Sequence, residues 1–211
     1  MKICVLTHNL EAHNGAGVFS RRLVEEIKKG RDNKVTVITA VASGYGDEKP
    51  ILYPQKIRLL LSLFRVRKII KKSDLAHALD VFPYGVITAL ASLGLRKKII
   101  ITATGSGSIL PLYRVFYGWL VRWAYRRADA VTAISEFTRS EVQKKIPNLS
   151  IQVINHGVDP ELFKGRKNAH YDTARFKPYI ISVGQLRWRK GYHLSIQAFA
   201  KALKNFPELH Y

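Results

Sequence analysis

Acidic residues, cysteines and long apolar runs are scarce in this sequence, and each scarcity excludes a class of protein. Only 15 Asp and Glu stand against 35 Lys and Arg over 211 residues, a formal net charge of +20. Such a chain attracts anions: phosphates, nucleic acids or acidic lipid surfaces. The one cysteine, Cys4, excludes an intramolecular disulfide framework. Lying in an apolar run, it reads as a small buried hydrophobe in a reducing compartment. No stretch of 18 apolar residues offers a membrane span, and Met1 leads straight into a strand-like segment rather than a signal peptide. No Cys or carboxylate cluster accompanies the histidines at ligand spacing, so no metal is expected.

What is present is patterned. At 47% hydrophobic content the chain can bury a substantial core. Strand-like runs at Lys2–Thr7, Lys34–Ala40, Asp74–Leu79, Lys97–Ala103, Asp129–Ile134 and Ser150–Ile154 alternate with helical periodicity near 17–29, 55–72, 84–95, 109–127 and 136–145. This alternation predicts a doubly wound parallel sheet, Rossmann-like, with ligands collecting at the carboxyl ends of the strands. Residues 164–178 are polar and basic and end on Pro178, which reads as a linker. Tyr179–Val183 as strand, 184–191 as loop and Tyr192–Leu203 as helix then form one βα unit, the opening of a second α/β domain that is cut off. The predicted organisation is a first domain over 1–163, the linker, and 179–211.

The stretch THNLEAHNGAG, residues 7–17, falls where the first strand hands over to the first helix. Small residues at Gly15, Ala16 and Gly17 let backbone N–H groups approach phosphate oxygens at a positive helix N-terminus; a plain tight turn is the competing reading. His13 is either a catalytic, acceptor or phosphate contact, or a solvated loop histidine.

Four ordered elements, HNGAG, VTAISEFTRSEV, VINHGVDPELF and ISVGQLRWRKGYHLSIQAFA, resemble the family 4 retaining glycosyltransferases of the GT-B fold over nearly the whole chain. The resemblance implies a two-domain enzyme. Its N-terminal domain takes the acceptor, its C-terminal domain takes a nucleotide-sugar, and transfer with retention occurs between them; no cofactor is needed beyond that donor substrate. It places Gly15, Ala16, Gly17, Gln185 and Lys190 at the donor phosphates, and Asn14, Gly105, Ser135 and His156 along the acceptor cleft. Two positions depart from the family's pattern. Gln185 stands where an Arg usually pairs with the Lys, and a neutral amide supplies no charge. Thr104 stands where a histidine usually lies near the reacting sugar; a hydroxyl donates a hydrogen bond but is no base near neutral pH. There is no Asp-x-Asp, the metal-holding signature of the other major transferase fold. Phosphate charge would then be met by Lys, Arg and backbone N–H groups. The seven-residue-spaced carboxylate pair of many members is also missing, as expected if 179–211 only opens the donor domain, and the chain alone would turn over weakly or not at all.

Charge concentrates where leucines do. Residues 56–72 (KIRLLLSLFRVRKIIKK) carry seven basic residues and no acid. On a helix, Leu59, Leu63, Val66 and Ile70 share one face, while Leu60, Leu61 and Phe64 mingle with Lys56, Arg67, Lys68 and Lys71, as in an interfacial membrane helix. The second such segment, residues 110–127, reads equally well as an amphipathic core helix. The expected partners are a nucleotide-sugar, a lipid or glycan acceptor and an anionic membrane surface, and the expected location is the cytoplasm, peripheral on the inner face of the cell membrane. The alternative, a basic nucleic-acid-binding α/β module without catalytic activity, is disfavoured: no RNP, KH, zinc or helix-turn-helix pattern is present, and the basic cluster is packed with leucines rather than stacking aromatics.

Overall fold

Runs such as KICVLT and KIIITA have little polar alternation, the signature of strands covered on both faces. They form a seven-stranded, wholly parallel sheet: β1 (Lys2–Thr7), β2 (Lys34–Thr39), β3 (Glu48–Pro50), β4 (Leu75–Leu79), β5 (Lys98–Ala103), β6 (Ala130–Ala133) and β7 (Gln152–Val153), in the spatial order β3-β2-β1-β4-β5-β6-β7. The computed structural model describes residues 1–46, 48–52, 56–158, 160–164 and 178–211.

The helices are α1 (Gly15–Lys29), α2 (Lys56–Lys71), α3 (Val86–Ala91), α4 (Ser106–Ile109), α5 (Gly118–Arg127), α6 (Glu136–Gln143) and α7 (Tyr192–Ala202). Chain handedness sorts them. The β1-to-β2 crossover advances one way along the sheet, whereas β4 to β5 to β6 to β7 advance the other way. Right-handed crossovers then place α1 on one face and α2, α3, α5 and α6 on the opposite face. Buried side chains agree: Ile3, Val5, Val37 and Leu79 pack with Val24 of α1. Cys4, Leu6, Ala78, Ile101 and Val131 pack with Val66, Ile87, Tyr125 and Val142. Burial holds the Cys4 thiol up at about 12. The order reverses between β1 and β4, which makes the carboxyl edge there the expected ligand crevice.

The chain divides into compact units at Met1–Gly157 and Val158–Tyr211. The boundary lies just before the linker read from the sequence, whose residues 165–177 fall outside the described residues.

Structure and sequence reading differ at four places. The short strand β3 was not expected; EKP has no apolar run, and it pairs only with β2. The single helix expected over 109–127 is broken into α4, a 3-10 turn at Leu110–Tyr113, a loop at 114–117 and α5. The break turns Tyr117 inward, where it stacks on Phe82 at 4.8 Å. Tyr179–Val183 is not a strand. Among the described residues it makes one parallel bridge, Tyr179 to His210. Finally, Arg67 is not a free basic residue of a membrane face. Its guanidinium donates to the carbonyls of Ala91 (3.0 Å) and Leu93 (2.6 Å) and so caps the end of α3.

Candidate functional site

The first wall of the crevice is the loop after β1. Asn14 caps α1, its Oδ1 accepting the Gly17 N–H at 2.7 Å, while its Nδ2 donates to Glu11 at 3.0 Å. Gly17 is required here, since a Cβ would lie 2.6 Å from Asn9 Oδ1 and 2.8 Å from the Glu11 nitrogen. Gly15 has open space around it, and Gly15 and Ala16 stand exposed at the positive end of the helix. His13 is exposed on the β2 side of this loop and borders a shallow depression of about 290 Å³ shared with Arg21, Ser43 and Tyr45. His8 lies at the switch point: its Nδ1 is 2.8 Å from the Tyr84 hydroxyl, bridging the loops after β1 and β4.

The second wall is built around Asp80, directly after β4. Its φ of 89° is in the left-handed region, which a non-glycine residue occupies at a cost. The surroundings fix it there: its N–H donates to Thr102 O at 2.9 Å, its carbonyl accepts Gly85 N–H at 3.0 Å, and the next turn, Val81–Gly85, contains a cis Phe82–Pro83 bond. The carboxylate accepts a hydrogen bond from the Ser108 hydroxyl, which also takes the Val81 N–H at 3.4 Å, and the Thr104 hydroxyl and Val81 N–H lie near enough to favour its charged form. Burial outweighs these donors and pushes Asp80 up to about 6. Ser108 is itself fixed by contacts to the Thr104 N–H (3.2 Å) and by the Tyr125 hydroxyl, which donates to its carbonyl at 3.2 Å. Gly107 leaves the space the carboxylate occupies; a Cβ there would overlap it, lying 2.9 Å from Asp80 Cγ.

Thr104 thus sits at the carboxyl end of β5 near Asp80, its N–H donating to Ser108 Oγ, and Gly105 beside it has φ 122° and ψ −130°, open to glycine alone. Ser135 caps α6, accepting the Thr138 N–H at 3.2 Å. The segment after β7 returns along the edge, with Asn155 Nδ2 donating to Ile134 O at 3.1 Å. It lays His156 on Phe19 of α1, ring centroids 4.0 Å apart, and desolvation lowers this imidazole below its ordinary value. Asn14, Gly15–Gly17, Thr104, Gly105, Ser135 and His156 therefore share one edge of the sheet.

Gln185 and Lys190 belong to the second unit, both exposed. Lys190 ends a 3-10 turn at Trp188–Lys190, and Gly191, at φ 72°, passes the chain into α7. Gly184 is packed closely by the Tyr192 hydroxyl, which would stand 2.7 Å from a Cβ. Of the membrane-facing residues expected on α2, Leu61, Phe64, Lys68 and Lys71 are exposed, and the side chains of Lys56 and Leu60 lie outside the described residues; Val66 and Ile70, expected on the sheet-packing face, are buried. Among the described residues there is no group of three or more His, Cys, Asp or Glu able to hold a metal ion, and no helix long and apolar enough to cross a membrane.

Sequence reasoning passed over Asp80, Ser108 and Tyr84. A carboxylate ending an apolar strand, in a chain with 15 acids, was the available signal for Asp80; Ser108 and Tyr84 gave none.

Residues 13–162, more than half of the chain, match the sequence profile of Glycosyltransferase Family 4. The chain belongs to that family. Solved structures share the fold of this family 4 chain at low identity. Anabaena HepE in complex with UDP and glucose superposes with a TM-score of 0.70 at 19% identity, covering 99% of this chain and 59% of that one. The same protein in complex with UDP-glucose gives 0.60 at 20%, covering 79% and 47%. The UDP-GlcNAc 2-epimerase of Methanocaldococcus jannaschii gives 0.51 at 10%, covering 73% and 45%. The family 4 chain thus spans about half the length of the structures it resembles. No curated protein sequence matches it.

Proposed function

We propose that this family 4 chain serves a glycosyltransferase that moves a sugar from a nucleotide-sugar to a lipid or lipid-linked acceptor with retention of configuration. The observation that carries the reading is the family match over 13–162, which takes in Asn14–Gly17, Asp80, Thr104–Ser108, Ser135 and His156. In this reading residues 1–163 are the acceptor side, 164–178 the linker and 179–211 the start of the donor domain.

Roles follow from chemistry. The exposed N-terminus of α1, at Gly15 and Ala16, offers backbone N–H groups and a partial positive charge to the donor diphosphate. Lys190 contributes a full charge, with Gln185 as a neutral donor. Asp80 holds Thr104 and Ser108 and so sets the shape of the β5 loop against which the acceptor hydroxyl lies. With its carboxyl at about 6, it can also take a hydrogen bond from that hydroxyl. His13 and His156 flank the acceptor path. The basic, leucine-rich α2 rests on an anionic membrane surface, where a lipid acceptor resides, which places the protein at the inner face of the cell membrane.

The test is transfer by the full-length protein from a panel of radiolabelled nucleotide-sugars in the presence of anionic vesicles carrying lipid extract. Label entering the lipid fraction with the anomeric configuration of the donor is expected. Inverted product refutes retention, and label confined to water-soluble glycans refutes the lipid acceptor.

A further inference from the structure

The loop between α4 and α5 carries a second apolar projection that the reading of α2 does not use. Val115 and Phe116 are 89% and 92% exposed, and Trp119, the second residue of α5, is 61% exposed. Leu110 and Tyr113 are exposed beside them. Single exposed apolar residues need no explanation, but five within ten residues form a patch.

This knuckle is held rather than frayed. Tyr117 stacks inward on Phe82 at 4.8 Å, the Gly118 N–H donates to Arg114 O at 2.8 Å, and the Trp119 indole N–H donates to Phe116 O at 3.2 Å. Gly118 is packed against Leu112 O, 2.9 Å from where a Cβ would stand. Arg122 reaches back to the same carbonyl at 3.4 Å. Cations ring the apolar tip: Arg114 is exposed within it, and Lys145 Nζ lies 4.3 Å over the Tyr113 ring.

Topology fixes where it points. In this parallel sheet each helix starts at the carboxyl edge, so the first turns of α2 and α5 lie at that edge in the layer that covers one face, either side of α3. Leu61 and Phe64 (58% and 75% exposed) stand near the middle of α2, whereas Val115, Phe116 and Trp119 are at the start of α5. The knuckle therefore sits at the carboxyl edge beside the Thr104–Ser108 loop, from which it continues through α4, and Leu61 and Phe64 add a separate apolar set on α2 of the same layer.

We infer that the Leu110–Trp119 knuckle is a second membrane-insertion element, seating its aromatic tip in the interface of an anionic bilayer and bringing the β5 loop to headgroup level. The occupant is identified by complementarity: a +20 chain with aromatic and basic residues interleaved suits an anionic lipid surface, where Trp and Tyr settle at the headgroup boundary. The inference rests on the membrane reading of α2 only for the second point of contact.

The experiment uses the 211-residue protein with Trp123→Phe and Trp188→Phe, leaving Trp119 as the sole fluorophore, and vesicles of phosphatidylglycerol and phosphatidylcholine with brominated acyl chains. A blue shift and bromine quenching of Trp119 are expected. Val115→Ser with Phe116→Ser, which keeps the charge and alters only exposed side chains, is expected to weaken vesicle binding by about tenfold or more, with circular dichroism unchanged and DNA binding little altered. Unshifted, unquenched Trp119 and wild-type sedimentation of the double variant overturn the inference. If that occurs while Leu61→Ser with Phe64→Ser abolishes vesicle binding, the α2 reading stands and the knuckle falls. Equal loss of DNA and vesicle binding in the knuckle variant also overturns it, since the apolar component would then contribute nothing specific.

Discussion

Gly107 and Asp80 occupy one another's space: the carboxylate fills the volume that any side chain at residue 107 would need, with Asp80 Cγ 2.9 Å from the position of a Cβ. The β5 loop can close over the end of β4 only because of this fit. Gly107→Ala is therefore expected to cost about 1–3 kcal/mol of stability, the usual range for overpacking. In an Asp80→Ala background the same substitution is expected to cost less. Urea denaturation of the double-mutant cycle measures the coupling, and strictly additive effects would contradict the contact.

Burial shifts Asp80 and His77 separately and gives them opposite responses to pH. Asp80 is raised to about 6, so its contribution to stability is present below its unfolded value of 3.8 and is lost as pH rises through 6. His77, whose Nε2 lies 2.8 Å from Thr102 Oγ1, is lowered to about 4 by burial, so its contribution is present above 6.5 and is lost as pH falls through 4. Each amounts to on the order of 3 kcal/mol, and the two oppose one another between pH 4 and 6.5. Asp80→Asn removes one of them. Its stability relative to wild type is expected to fall by on the order of 3 kcal/mol on acidification across that window. A stability difference independent of pH in denaturation series would show Asp80 to have an ordinary pKa.

Arg67 and Lys68 are adjacent in sequence but differ in surroundings. Arg67→Ala strips two carbonyls of their donor and is expected to destabilise by about 1–3 kcal/mol. The exposed Lys68→Ala is expected to stay within about 0.5 kcal/mol. Thermal denaturation of both variants separates a structural cation from a solvent-facing one, and equal effects would contradict the α3 capping role.

Much of this architecture is legible in the sequence, for identifiable reasons. Apolar runs such as KIIITA can be buried on both faces only in a parallel sheet, and Phe19, Leu23 and Ile27 mark α1 by their spacing. Asn14 and Ser135 read as loop residues and prove to be helix caps, which local sequence does encode. What local sequence does not encode is pairing across the fold. Arg67 looks free until the end of α3 is seen beside it, and Asp80 looks like a strand terminator until Ser108, 28 residues later, closes on it. The break at 114–117 depends on Phe82 receiving Tyr117, a contact made between two crossover connections.

On the donor side, Lys190→Ala is expected to weaken nucleotide-sugar binding by roughly ten- to a hundredfold, the loss of one charge-assisted hydrogen bond of about 1.5–3 kcal/mol. Gln185→Arg, which adds a cation beside the phosphates, is expected to tighten it. Isothermal titration calorimetry reads both, and unchanged affinity in both variants would remove these residues from the donor site.

The central claim is that the molecule recognises a nucleotide-sugar through its diphosphate, and saturation-transfer NMR with a panel of nucleotide-sugars tests it most directly. The account predicts saturable transfer to at least one donor, displaced by the corresponding nucleoside diphosphate and diminished by Lys190→Ala. If no nucleotide-sugar receives saturation while double-stranded DNA binds wild type and Lys190→Ala alike, the account is contradicted and the charge serves nucleic acid instead.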